Sequence, residues 1–200
     1  MKTLKLYITE ALHVNKNTKI TEYNYHPKTK DELEELVKKL IKERGNNADL
    51  NDIDTSEITD MSYLFYDTKF NGDISEWDVS NVTNMNSMFN GSKFNGDISE
   101  WDVSNVENMV STFGDSKFNG DISEWDVSSV TNMRSMFNRS EFNGDISKWD
   151  VSNVESMYAM FYSSKFNGDI SKWNVSNVEN MRDMFVNSPL ENNPPKWYKK

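Results

Sequence analysis

The chain has 200 residues, a formal net charge of −10 and no cysteine, with 36% hydrophobic and 12% aromatic residues. This is too much apolar material for a disordered chain, so a packed core is expected. The missing cysteines exclude disulfides, thiolate metal sites and a cysteine nucleophile, and the acidic balance speaks against nucleic-acid binding, which needs clustered Lys and Arg.

Residues 1–14 read as a leader or tail. The opening MKTLKLYITEALHV has no uninterrupted apolar segment, because Lys5, Thr9 and Glu10 break it. No signal peptide and no membrane span are therefore expected. Leu4, Ile8, Ala11 and Leu12 recur at the spacing of a short amphipathic helix. The amino-terminal end is basic: within the first thirty residues six lysines face only Glu10 and Glu22.

Residues 15–45 predict an N-terminal cap made of a strand and a helix. Ile20 to Tyr25 has strand-forming composition, and Thr29-x-x-Glu32 is a capping box. Leu33, Leu36, Val37, Leu40 and Ile41 line one face of a helix over residues 31–44, and Gly45 suits its C-terminal end.

Residues 46–189 repeat with a period of 24, as one degenerate and five regular units. Phe70, Phe94, Phe118, Phe142 and Phe166 each open FNGDIS, and Trp77, Trp101, Trp125, Trp149 and Trp173 keep the same spacing. Within a unit Ile74, Trp77 and Val79 fit L-x-x-L-x-L, which predicts a short strand. Val82, Met85, Met88 and Phe89 fit helical or 3₁₀ spacing, and Asn71-Gly72 is the expected positive-φ turn. The predicted fold is thus an α/β repeat solenoid, a leucine-rich-repeat-like stack of short parallel strands with short helical turns. Residues 190–200 predict a C-terminal cap, with Leu190 and Trp197 on the Phe and Trp columns and Pro194-Pro195 ending the pairing.

Catalytic chemistry is sparse. His13 and His26 both lie outside the repeats, so no triad or histidine metal site can be built around a groove. The Asp73 and Asp78 columns offer stacked carboxylates, for which Ca²⁺ binding is the sharper reading. The plainer one is that the NGD aspartates bond turn N–H groups while the WDV aspartates face water. A glycosidase needs one singular carboxylate pair, whereas here every coil carries the same pair. No enzyme activity and no cofactor are expected. The repeats differ among themselves at Arg134, Tyr158, Tyr162 and Arg182, whose composition is that of a binding hot spot.

The unit FNGDISxWDVSNVxNMxxMF, over residues 46–198, resembles the BspA-like leucine-rich-repeat family known from bacterial surfaces. That resemblance implies an adhesion or interaction role. The start MKTLKLYITE followed by Ala11 resembles the capsid-targeting leaders of internal head proteins in T-even-like phages, which implies cleavage after Ile8-Thr9-Glu10, before Ala11. The resulting expectation is a non-enzymatic repeat protein presenting a surface to a protein partner, phage-encoded and virion-associated, located in the cytoplasm or a virion. A BspA-like cell-surface adhesin and a Ca²⁺-dependent or carbohydrate-binding solenoid stand as alternatives.

Overall fold

The computed structural model describes residues 23–199. Its one helix among these residues, α1 (Lys30–Arg44), follows from local sequence. The Thr29 side chain accepts the Glu32 N–H at 3.3 Å, and the Glu32 carboxylate accepts the Lys28 N–H at 2.7 Å. The box therefore closes one residue earlier than the reciprocal bond to the cap itself. Gly45, at φ 91°, ends the helix by donating to the Ile41 carbonyl. Leu33, Val37 and Leu40 are buried in one core with Ala48, Leu50 and Ile53, so α1 lies on the first coil. Arg44 fixes it there by a two-pronged ion pair to Asp52, at 2.9 and 3.0 Å.

Behind α1 the 24-residue units stack in register, but not as strands. Among the described residues there is no strand and no sheet, only isolated parallel bridges such as Asn84 to Asn108 and Asn108 to Asn132. The expected α/β leucine-rich-repeat-like solenoid of stacked parallel strands is therefore wrong. The segment expected to be a strand is two successive turns: Trp77 N–H donates to Ile74 O and Val82 N–H to Val79 O. Side chains force these turns, since Asp73 Oδ1 accepts the Ser75 N–H at 3.0 Å and Asp78 Oδ1 the Ser80 N–H at 3.0 Å. Of the strand expected over residues 20–25, the described part forms a single bridge, Tyr25 to Ile53.

The expected helical segment is also a run of turns. From Met85 to Ser92 the amide groups donate alternately outward and inward. Met85, Ser87, Phe89 and Gly91 donate to Asn108, Val110, Thr112 and Gly114 of the next coil at 2.8–2.9 Å, while Met88, Asn90 and Ser92 donate three residues back within their own coil. This satisfies backbone groups that burial would otherwise leave costly. The geometry requires positive φ at two places per coil, Ser87 at 55° and Gly91 at 70° in the second. Elsewhere those columns hold non-glycine residues such as Ser111, Arg139 and Ala159, each at about 1–2 kcal/mol of strain.

The asparagine-glycine turn works differently from expectation. Gly120 is required by proximity, because a Cβ there would sit 2.9 Å from two ring atoms of Phe118. Its neighbour Asn119 donates its N–H to the Asn95 side chain at 2.7 Å, and Asn95 does the same to Asn71, so side-chain carbonyls tie successive coils together.

The core is a pair of phenylalanine stacks. Phe65, Phe89, Phe113, Phe137, Phe161 and Phe185 succeed each other at 5.5–5.9 Å between near-parallel rings. Phe70 to Phe166 form a second stack at 6.2–6.3 Å. Each tryptophan tilts onto a ring of the first stack, as Trp125 does on Phe113 at 6.1 Å. Each also donates its indole N–H to a carbonyl of the preceding coil, Trp125 to Ile98 at 3.0 Å. The carboxy-terminal segment continues this scheme: Trp197 stacks on Trp173 and donates to the Ile170 carbonyl at 2.9 Å. It covers that half of the last coil only. Val175, Val178 and Met181 remain partly exposed, while Val151, Val154 and Met157 one coil earlier are fully buried.

Candidate functional site

The turn register that buries Met and Phe places the intervening residues outward. Residue 86 and its repeats 24 positions on form one surface column, and residue 90 begins another. The 24-residue period brings Arg134, Tyr158 and Arg182 to successive coils of the first column. There the Arg134 guanidinium lies 5.2 Å from the Tyr158 ring centre and that of Arg182 lies 5.9 Å from it. These are cation–π distances. Together with Asn132, Ser156 and Asn180 they line an open hollow of about 420 Å³. Arg182 is also hydrogen bonded to Asp183 at 3.2 Å, while Arg134 has no ion pair among the described residues.

Tyr162 is half-buried in the second column, four residues beyond Tyr158, and no ring or cation contact ties it to the other three among the described residues. The sequence reading missed Tyr63 and Tyr66 of the degenerate first coil. They are 51% exposed and pack together at 5.7 Å, with the Lys30 ammonium 5.8 Å over Tyr63. The signal was present in the register, since they occupy the columns of Ser87 and Asn90, where later coils hold mostly small residues. The leader cleavage residues Ile8, Glu10 and Ala11 lie outside the described residues, as does the amphipathic helix expected around them.

The aspartate columns are committed to local structure. Asp121, Asp145 and Asp169 accept the backbone N–H two residues on at 2.9 Å. The WDV aspartates do not simply face water: Asp102 accepts both the N–H and the hydroxyl of Ser104. The Ser104 and Ser152 hydroxyls, and then their N–H groups, hold the Asp102 and Asp150 carboxyls below the usual range. Backbone N–H bonds do the same for Asp121, Asp145 and Asp169. Lys148, which with Lys172 replaces glutamate at the end of its column, pairs with Glu124 at 2.7 Å on the exposed surface. Among the described residues no group of three or more His, Cys, Asp or Glu side chains is arranged to hold a metal ion.

A carboxyl with a lowered folded pKa stabilises the fold above its unfolded value, and that contribution is lost as pH falls through the folded value. The Tm is thus expected to hold from neutrality to about pH 5 and to drop below about pH 4. Asn174 supplies the control, accepting the Ser176 N–H at 3.2 Å in the same position without titrating. Asp102→Asn with Asp150→Asn should make the acid drop shallower, since Asp121, Asp145 and Asp169 still titrate, and leave the neutral Tm near its starting value. Thermal melts across that range check this, and an unchanged Tm of the parent protein at pH 3 would contradict it.

In-register coils, a continuous aromatic core and a variable outer face define a tandem-repeat protein. Residues 32–138 and 101–197 match the model of a family described as Mycoplasma protein of unknown function, DUF285. The chain belongs to that family. No curated protein and no solved structure matches it. Among the described residues no helix is long and apolar enough to cross a membrane.

Proposed function

We propose that this chain is a non-enzymatic repeat protein whose variable outer face binds a protein partner. The observation that carries this is the hollow in which Arg134 and Arg182 flank Tyr158. Coils otherwise built to one pattern here place two exposed cations around a half-buried aromatic ring, the side-chain types that dominate binding energy at protein interfaces. Supporting it, the aspartates that repeat in every coil are occupied in turns, and His26 sits beside Asp54 at the α1 end of the molecule. The likeness of the repeat to BspA-like proteins points the same way.

The test is capture of partners from the native source by the parent chain and by Tyr158→Ala, analysed by quantitative mass spectrometry. A specific partner retained by the parent and by Glu100→Ala, but lost with Tyr158→Ala at unchanged Tm, is the expected result. Equal capture by both variants would overturn the assignment of this face.

A further inference from the structure

The hollow sits where one coil departs from the hydrogen-bond pattern of the others. In the column that begins at Asp60, a side-chain oxygen accepts the backbone N–H two residues on. Asp60 takes the Ser62 N–H at 2.7 Å, and Asn132 and Asn180 take those of Arg134 and Arg182 at 3.1 Å. The second and third coils do the same through Asn84 and Asn108. The fifth coil carries the shorter Ser156 there, and among the described residues the Tyr158 N–H has no hydrogen-bond acceptor. Ser156 and Tyr158, the two ends of the missing bond, both line the hollow with Arg134 and Arg182. The first coil shows which group suits the place: the Asp60 oxygen belongs to a carboxylate, and the Lys30 ammonium lies 3.7 Å from it.

We propose that the hollow receives a carboxylate of the protein partner, an aspartate or glutamate side chain whose oxygen supplies the acceptor that the fifth coil lacks. This rests on the interaction reading above and names the chemistry by which the face is recognised. One oxygen accepts the Tyr158 N–H, as the Asp60 oxygen accepts that of Ser62. The charge is met by Arg134, whose guanidinium lies over the Tyr158 ring and has no ion pair among the described residues. A guanidinium stacked on a ring keeps its N–H donors, which lie in its own plane, available to a carboxylate. Arg182 adds less, because Asp183 holds it at 3.2 Å. Exposed Glu155 and Glu179, which directly precede Ser156 and Asn180, repel a diffuse polyanion. The ligand is therefore a single placed carboxylate and not an acidic run.

Amide NMR of the full chain, titrated with a blocked glycine pentapeptide carrying glutamate at its centre, reads the site directly. The Tyr158 amide proton is expected to shift and saturate, and the corresponding glutamine peptide to leave it unmoved. Arg134→Gln should weaken binding of the glutamate peptide at least roughly tenfold. Ser156→Asn restores the oxygen present in the other coils, so it should abolish the shift while the Tm holds or rises. Ser156→Ala, which supplies no oxygen, should bind as the parent does. A Tyr158 amide that does not respond, or a Ser156→Asn chain that binds as the parent does, overturns the proposal. Tighter binding of the corresponding phosphoserine peptide overturns the carboxylate assignment in favour of a phosphorylated partner. If capture of the native partner is lost with Tyr158→Ala but kept with Ser156→Asn, the carboxylate site falls while the interaction reading stands.

Discussion

Trp125→Ala is expected to cost about 3–5 kcal/mol of folding stability, the range for removing a large buried aromatic side chain. Trp125 is 4% exposed in the fourth coil, tilts against Phe113 and donates its indole N–H to Ile98. Truncation opens a cavity between coils and strips the Ile98 carbonyl of that donor, so a transfer cost and an unsatisfied-group cost add. Trp125→Phe should lose less, since it keeps most of the apolar volume and sacrifices the hydrogen bond. Equilibrium denaturation measures both. A loss below about 1 kcal/mol for the alanine variant would place the ring outside the core, contrary to its role in the stack.

The second large effect is at the other end. Leu40 is fully buried between α1 and the first coil, and Leu40→Ala is expected to cost about 2–5 kcal/mol. The consequence should exceed the local loss, because α1 covers the end of a stack whose coils are joined by backbone hydrogen bonds. Loosening it bares the apolar residues Ala48, Leu50 and Ile53 of the first coil, and concentration-dependent aggregation is expected on mild heating. Leu36→Ala, on the half-buried flank of the same helix, is the comparison. Light scattering during a thermal ramp distinguishes them: early aggregation for Leu40→Ala alone is expected, and identical behaviour of the two variants would contradict the covering role of α1.

The period, the buried columns and α1 were legible in sequence because each rests on residues that repeat or on strong local signals such as Thr29 and Gly45. What the spacing could not separate was a strand from a coil of turns. Ile74, Trp77 and Val79 point inward in either geometry, so the burial pattern is the same. The choice is made by Asp73 and Asp78, whose carboxylates draw the next N–H groups into turns, a competition with extended structure that apolar periodicity does not register. Positive φ at Ser111 or Ala159 was hidden for a related reason, since neither residue advertises that conformation. At the site, the adjacency of Arg134, Tyr158 and Arg182 followed from the period alone. The aromatic pair at Tyr63 and Tyr66 was obscured by the degeneracy of its coil.

The central claim is that consecutive 24-residue units lie side by side in register, and the absence of native cysteine makes it directly measurable. Asn95 and Asn119 are adjacent through the 2.7 Å bond from the Asn119 N–H to the Asn95 side chain. A disulfide needs a Cα separation of about 4.4–6.8 Å, which two such positions on adjacent, hydrogen-bonded coils are expected to meet. Under mild oxidation, Asn95→Cys with Asn119→Cys is predicted to form an intramolecular bond rapidly with the fold retained. Asn95→Cys with Asn143→Cys, two coils apart and so beyond that reach, should stay reduced. Failure of the first pair to close, or equal closure of the second, would contradict the stacked register on which the whole account depends.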